Sequence, residues 1–170
     1  MKKVFFLLAF LSLGFISAQA QQKYGHLNFN GLMAQMSETK AADSQLEAYQ
    51  KQLVAKGEGM AKTFQDKVAA FYKEVQDGGL PPKAQQEKEA ALSKERDDIL
   101  KYEQEVQQKL TEKRQELLKP IVEKAQKAIE EYAKANGYAM IFDTSVFNAL
   151  LFAKDSDDLM PAIKAKLGIN

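Results

Sequence analysis

His26 is the only histidine in the chain, and there is no cysteine at all. The residue types that carry most metal and nucleophilic chemistry are therefore nearly missing. A structural zinc site takes four ligands drawn mainly from Cys and His. A Ser-His-acid triad would have to rest on His26 alone, with no identifiable partners. The neighbours of His26 read as a short strand, which makes it a residue of the fold's body. Carboxylates do come in pairs, Glu87/Glu89 and Asp97/Asp98, but in helices this polar they form solvated faces, with Glu95-Arg96 and Glu112-Lys113 as ordinary surface charges. Asp155, Asp157 and Asp158 are oxygen donors in a loop, and helix capping explains them more simply than calcium does. No G-x-x-x-x-G-K-[ST] run and no G-x-G-x-x-G after a strand offers a nucleotide cradle. The residues thus name no catalytic site, no metal site and no cofactor, and an enzyme is the poor hypothesis.

The elements that arrange the remaining residues begin with a leader. Lys2 and Lys3 precede an almost unbroken apolar run of 13 residues, Val4 to Ile16, and then Ser17-Ala18-Gln19-Ala20. This is the pattern of a signal peptide spanning 1–20, removed to leave Gln21 to Asn170. The run is shorter than the roughly 20 residues that cross a bilayer. Without Lys2 and Lys3, 22 basic residues face 23 acidic ones, a net charge of −1. Such a balance gives no support to nucleic acid as a partner, because those domains carry a basic excess.

Between 32 and 136 nearly every residue is helix-forming or charged, except at Gly78-Gly79-Leu80-Pro81-Pro82. Glycines end a helix and prolines start the next one, so the chain turns at 78–82. Apolar residues recur at helical spacing before the break, from Leu46 through Leu53, Met60, Phe64 and Phe71 to Val75. After it they run from Leu92 through Ile99, Val106, Leu110, Leu117 and Ile121 to Tyr132. Stripes this long point to a coiled coil. Folding back at residue 80 gives an antiparallel hairpin whose facing residue numbers sum to about 162, with Phe71 against Ala91 and Met60 near Tyr102. Gly57, Gly59 and Pro120 interrupt these helices, and bending is expected there.

What is left, 21–31 plus 137–170, is a small β-rich body. Lys23–Asn30 reads as one strand, Tyr138–Phe142 as a second and Ala149–Phe152 as a third; the loop between the last two is too short for a parallel crossover, which leaves local antiparallel pairing or strands contributed between chains. A helix near 158–167 closes the chain, with Asp157 or Asp158 as cap, Pro161 in its first turn and Gly168 as its stop. So few residues rarely supply a sufficient core alone, yet Leu27, Phe29, Ile141, Phe142, Leu150 and Phe152 are large and apolar. Pooling these six from several chains is the simplest repair, and they are the expected oligomerisation residues.

This arrangement resembles the periplasmic chaperone family Skp, also called OmpH, over essentially the whole mature chain. K-Y-G-H-L-N-F-N-G-L-M at 23–33 is similar to the family's opening strand and helix start, with Asn28 at its Asn position. Y-A-M-I-F-D places Asp143 at the end of the family's second strand, and Asp158-Leu159 stands before the terminal helix. The resemblance implies a homotrimer in the periplasm: a small β body from which three helical hairpins extend around a cavity. It implies an ATP-independent holdase that binds unfolded outer-membrane β-barrel proteins and prevents their aggregation. The fold expected is mainly α with a small β body, a long antiparallel coiled-coil hairpin at 32–136 projecting from an α+β oligomerisation subdomain. Met60 and Tyr72 are the candidate client contacts, with filling of the hairpin seam as their alternative fate.

One departure matters. Relatives carry strongly basic hairpins, but here residues 77–98 hold four basic and six acidic side chains, a net −2. The near-neutral charge argues against lipid or lipopolysaccharide contact and against electrostatic capture, so apolar contact must carry more of the binding. A structural or adaptor coiled coil of the cell envelope is the alternative reading; it would hold one folded partner and show no general affinity for unfolded chains.

Overall fold

The computed structural model describes residues 22–169; the signal peptide expected at 1–20 lies outside them. Strand β1 (Lys23–Leu27) leads at once into a short helix α1 (Phe29–Gln35). Asn28 makes that start possible: its backbone is extended and its Oδ1 accepts from the Gly31 N–H at 2.7 Å, satisfying one of the unpaired donors of the first turn. The helix expected to run on from Leu32 is broken at Met36, which is extended (φ −70°, ψ 133°) and almost fully buried. Anchoring that side chain in the core redirects the chain into α2 (Ser37–Gln76).

Helix α2 ends at Gln76, Gly78 takes a left-handed φ of 67°, and Pro81-Pro82 open α3 (Pro82–Asn136). At 1.5 Å per residue these two helices, of 40 and 55 residues, are about 60 and 80 Å long. Both stay α-helical through Gly57, Gly59 and Pro120. They pack antiparallel. Three ion pairs, Lys67–Glu95, Lys88–Glu74 and Lys124–Glu38, cross between them at three heights, and in each the residue numbers sum to 162. Leu53, Phe71, Tyr102 and Ala128 are the buried residues that these helices add beyond the root cluster.

Gly137, at φ 70°, stops α3 and delivers the chain into β2 (Tyr138–Asp143). β2 lies parallel to β1, with Gly25 opposite Ile141 and Leu27 opposite Asp143. A parallel pair needs a long crossover, and here the crossover is the whole helical pair. The expected third strand, Ala149–Phe152, does not form, and the local antiparallel pairing expected of it is corrected with it. Two features explain this. The Asp143 carboxylate turns the chain back on Ser145, and Asn148, at φ 60°, sits in a turn that the Ala149 N–H closes on the Val146 carbonyl, so the chain enters 149–152 bent. The far edge of β1 is taken instead by Asp158: the two residues His26 and Asp158 bridge in parallel, and the Leu159 N–H donates to the His26 carbonyl at 2.8 Å. Helix α4 (Met160–Leu167) closes the chain, with Pro161 in its first turn and Gly168 at φ 70° as its stop.

The largest buried cluster sits where the helical pair meets the strands. Leu27, Leu32, Met36, Ile121, Ala125, Leu159 and Ile163 are buried together, with Phe29, Ile141 and Tyr138 packed against them.

Candidate interaction surfaces

Three short sequence motifs converge at this junction. Asn28 caps α1. Asp143, at the end of β2, accepts from the Phe29 N–H at 3.0 Å, the Ser145 N–H at 2.8 Å and the Ser145 hydroxyl at 2.8 Å. Burial raises the pKa of this carboxyl, but the three hydrogen bonds to its charged form outweigh that and hold it below the ordinary aspartate value. Leu159 covers Gly25 so closely that a Cβ there would lie 2.7 Å from the leucine Cδ1. The opening strand, the second strand and the Asp158-Leu159 pair therefore form one latch at the root of the helices. His26 belongs to it as a spacer; its Nε2 lies 3.3 Å from the Lys154 carbonyl.

Around the latch the body exposes much apolar surface. Of the six residues expected to unite copies, Leu27 is 2% exposed and belongs to the core, while Phe29, Ile141 and Leu150 are half-buried. Phe142 is 40% and Phe152 81% exposed. Sequence reasoning left out of this set Met140, Val146 and Phe147 (91% exposed); Leu151, beside Leu150 in the same apolar run, is 89% exposed. Soluble proteins scatter single apolar residues over their surface; here several large ones are exposed within the short stretch from Met140 to Phe152.

The helical pair has two unlike faces toward its tip. One is a groove over Ala70, Phe71, Ala91 and Leu92 flanked by the Lys67–Glu95 and Lys88–Glu74 ion pairs. The other is an open trough lined by Phe64, Val68, Tyr72, Val75 and Leu92, with Gln85, Glu89 and Arg96 on its rim. Tyr72 is 63% exposed there, and Met60 is half-buried nearer the middle of α2. Val54 and Leu100 also stand out to solvent. Val54 lies 18 residues from Tyr72, five full turns, so both project from one side of α2.

Midway along the pair, the Tyr102 hydroxyl donates to the Leu53 carbonyl at 2.9 Å, a buried bond that crosses between the helices. Gly57 faces the ring, and a Cβ there would make an ordinary van der Waals contact with it at 3.5 Å. The ammonium groups of Lys56 and Lys109 lie 5.0 and 5.3 Å from the ring centroid. At the root, the Lys124 ammonium, the Glu38 backbone and Ser37 hold the Glu38 carboxyl at about 2. Among the described residues no group of three or more His, Asp or Glu side chains is placed to hold a metal ion, and no helix is long and apolar enough to cross a membrane.

Comparison with known proteins places these features in context. The family model described as outer membrane protein (OmpH-like) matches residues 23–167. No curated protein matches. Among solved structures, a crystal structure titled as an OmpH-like outer membrane chaperone from Caulobacter crescentus superposes with a TM-score of 0.72 at 17% identity, covering 87% of this chain and 85% of that one. At that identity the likeness speaks for the fold.

Proposed function

We propose, from the premise that this chain belongs to the OmpH-like family of periplasmic chaperones, that it is an ATP-independent holdase which keeps unfolded outer-membrane β-barrel proteins from aggregating. The observation that carries the reading is the open trough of Phe64, Val68, Tyr72 and Val75, set against an ion-paired opposite face. A holdase needs apolar surface that is shallow, tolerant of varied side chains and easily released. A trough whose Tyr72 already stands in solvent meets that need, because the contacts it makes are many and individually weak. Met60, unbranched and polarizable, extends the candidate client contact along α2. The charge balance of residues 77–98 leaves apolar contact as the main source of affinity.

In this reading 32–136 is a coiled-coil hairpin that does the holding. Segments 21–31 and 137–170 form the oligomerisation body, and three copies share it. The exposed Phe142 and Phe152, and the half-buried Phe29, Ile141 and Leu150, support that division of labour. A capture experiment separates it from the adaptor alternative. Immobilised protein should retain several chemically denatured β-barrel proteins without nucleotide and ignore their folded forms. Retention of a single folded envelope protein, with no unfolded chain held, would replace the holdase with an adaptor.

A further inference from the structure

Three places in the chain join Asn or Asp to glycine: Asn30-Gly31, Asp77-Gly78 and Asn136-Gly137. Glycine leaves its amide nitrogen uncrowded, and that nitrogen can attack the preceding side-chain Cγ and close a five-membered imide. By residue type alone the two Asn-Gly pairs react first, because a carboxylate, ionised near neutral pH, is a poor electrophile. The fold sets the three apart. In each pair the residue before glycine must turn about ψ before the nitrogen reaches Cγ, so the pair that reacts is the one where this rotation breaks least. Asn30 lies in the first turn of α1, where the Asn28 Oδ1 holds the Gly31 N–H at 2.7 Å and the next residue, Leu32, is fully buried. Rotation there lifts α1 from the core. Asn136 is the last residue of α3. Its Nδ2 donates to the Tyr132 carbonyl at 2.9 Å, the Gly137 N–H donates to the Ala133 carbonyl, and Tyr138 then pairs with Lys23 in the sheet. Rotation there unwinds the helix end and pulls at the strand pair. Asp77 stands at the tip of the hairpin. Asp77, Gly78 and Gly79 are all exposed and open space surrounds Gly78. The turn is closed by two long bonds, from the Gly78 N–H to the Val75 carbonyl at 3.1 Å and from the Gly79 N–H to the Glu74 carbonyl at 3.3 Å. Pro81 and Pro82, which follow, have no N–H to add.

We propose that Asp77-Gly78 is a self-modification site, where the hairpin tip of the folded protein converts to isoaspartate. The Gly78 nitrogen gives up its proton and bonds to the Asp77 Cγ, and a carboxyl oxygen leaves as water. A second water opens the imide at the backbone carbonyl and cleaves its bond to the Gly78 nitrogen. The chain then continues through Cβ and Cγ, and the former backbone carbonyl becomes a free carboxylate. One water leaves and one enters, and no oxidant, metal or enzyme takes part. The product lengthens the backbone by one methylene group beside Val75, which lines the distal end of the trough. Its new carboxylate is a substrate for a carboxyl methyltransferase that acts on isoaspartate.

Isoaspartate adds no mass, so the wild type, aged in its folded state, is probed with labelled S-adenosylmethionine and an isoaspartyl methyltransferase and then digested. Label should collect in the peptide that carries Asp77. Asp77→Asn, at an exposed position, places the same chemistry at all three pairs of one molecule, where deamidation reads out as a gain of one dalton. In the folded variant position 77 should deamidate at least about tenfold faster than Asn30 or Asn136, and in urea the three rates should converge. Equal rates at the three positions of the folded variant would overturn the proposal. So would wild-type protein that stays unlabelled at Asp77 after an ageing time that labels its urea-unfolded form there.

Discussion

Replacing Asp143 by Ala should destabilise the protein by about 2–4 kcal/mol. The carboxylate accepts three hydrogen bonds, two of them from backbone N–H groups at 2.8 and 3.0 Å. Bonds to a charged acceptor contribute about 1.5–3 kcal/mol each and are not additive when they share one acceptor. The Phe29 N–H, at the first turn of α1, would lose its partner in a half-buried place. For a chain of this size the change corresponds to roughly 5–15 °C in Tm. Asn at 143 keeps one acceptor oxygen and should fall between. The pH dependence carries the sign. The folded pKa of Asp143 lies below its unfolded value of about 3.9, so its contribution is fully present above the unfolded pKa and is lost as pH falls through the folded one. Urea unfolding of the wild type, Asp143→Ala and Asp143→Asn, at one protein concentration and from pH 7 down to pH 3, checks this. The gap between wild type and Asp143→Asn should be constant above about pH 5 and shrink below pH 4. An Ala variant within 0.5 kcal/mol of wild type at pH 7, or a gap unchanged to pH 3, would refute the latch.

Three further outcomes follow from the helical pair. Gly59→Ala should stabilise by about 1 kcal/mol, because the position is helical and open with nothing within 4 Å of a new Cβ; thermal unfolding checks it. Tyr102→Phe should cost about 1–3 kcal/mol by leaving the Leu53 carbonyl without its cross-helix donor, and hydrogen exchange near Leu53 should quicken while the distant latch is unchanged. Client affinity, measured by fluorescence with a denatured β-barrel protein, should change less than threefold between 50 and 500 mM salt, since the distal helices carry no basic excess; a fall of tenfold or more would make capture electrostatic.

The long elements were legible because their cause is local. Helical periodicity and the Gly-Gly-Leu-Pro-Pro turn place α2 and α3 and even their register, since facing numbers that sum to 162 follow once the turn is known. The body was harder because its pairing is not local. β2 finds its partner more than a hundred residues upstream, and no pattern in Tyr138–Phe142 distinguishes that partner from Ala149–Phe152. The apolar character of 149–152 reads as a strand, yet it serves as exposed surface. The break at Met36 has no Gly or Pro to announce it; only burial of the methionine accounts for it. The open apolar residues of the helices did leave a signal that periodicity alone passes over. Val54, Tyr72 and Leu100 each follow a seam residue, Leu53, Phe71 and Ile99. A doubled apolar position puts its second member about 100° around the helix, away from the seam.

The most direct test of the account is dilution of a urea-unfolded outer-membrane β-barrel protein into buffer containing a several-fold molar excess of this protein and no nucleotide, with turbidity followed over time. The account predicts that the wild type suppresses aggregation. It also predicts that Val68→Ser/Tyr72→Ser, which makes the trough polar, loses most of that effect, while Ala70→Ser on the ion-paired face retains it. Aggregation unchanged by the wild type at that excess would contradict the holdase, and full protection by the Val68→Ser/Tyr72→Ser variant would show that the trough is not where clients are held.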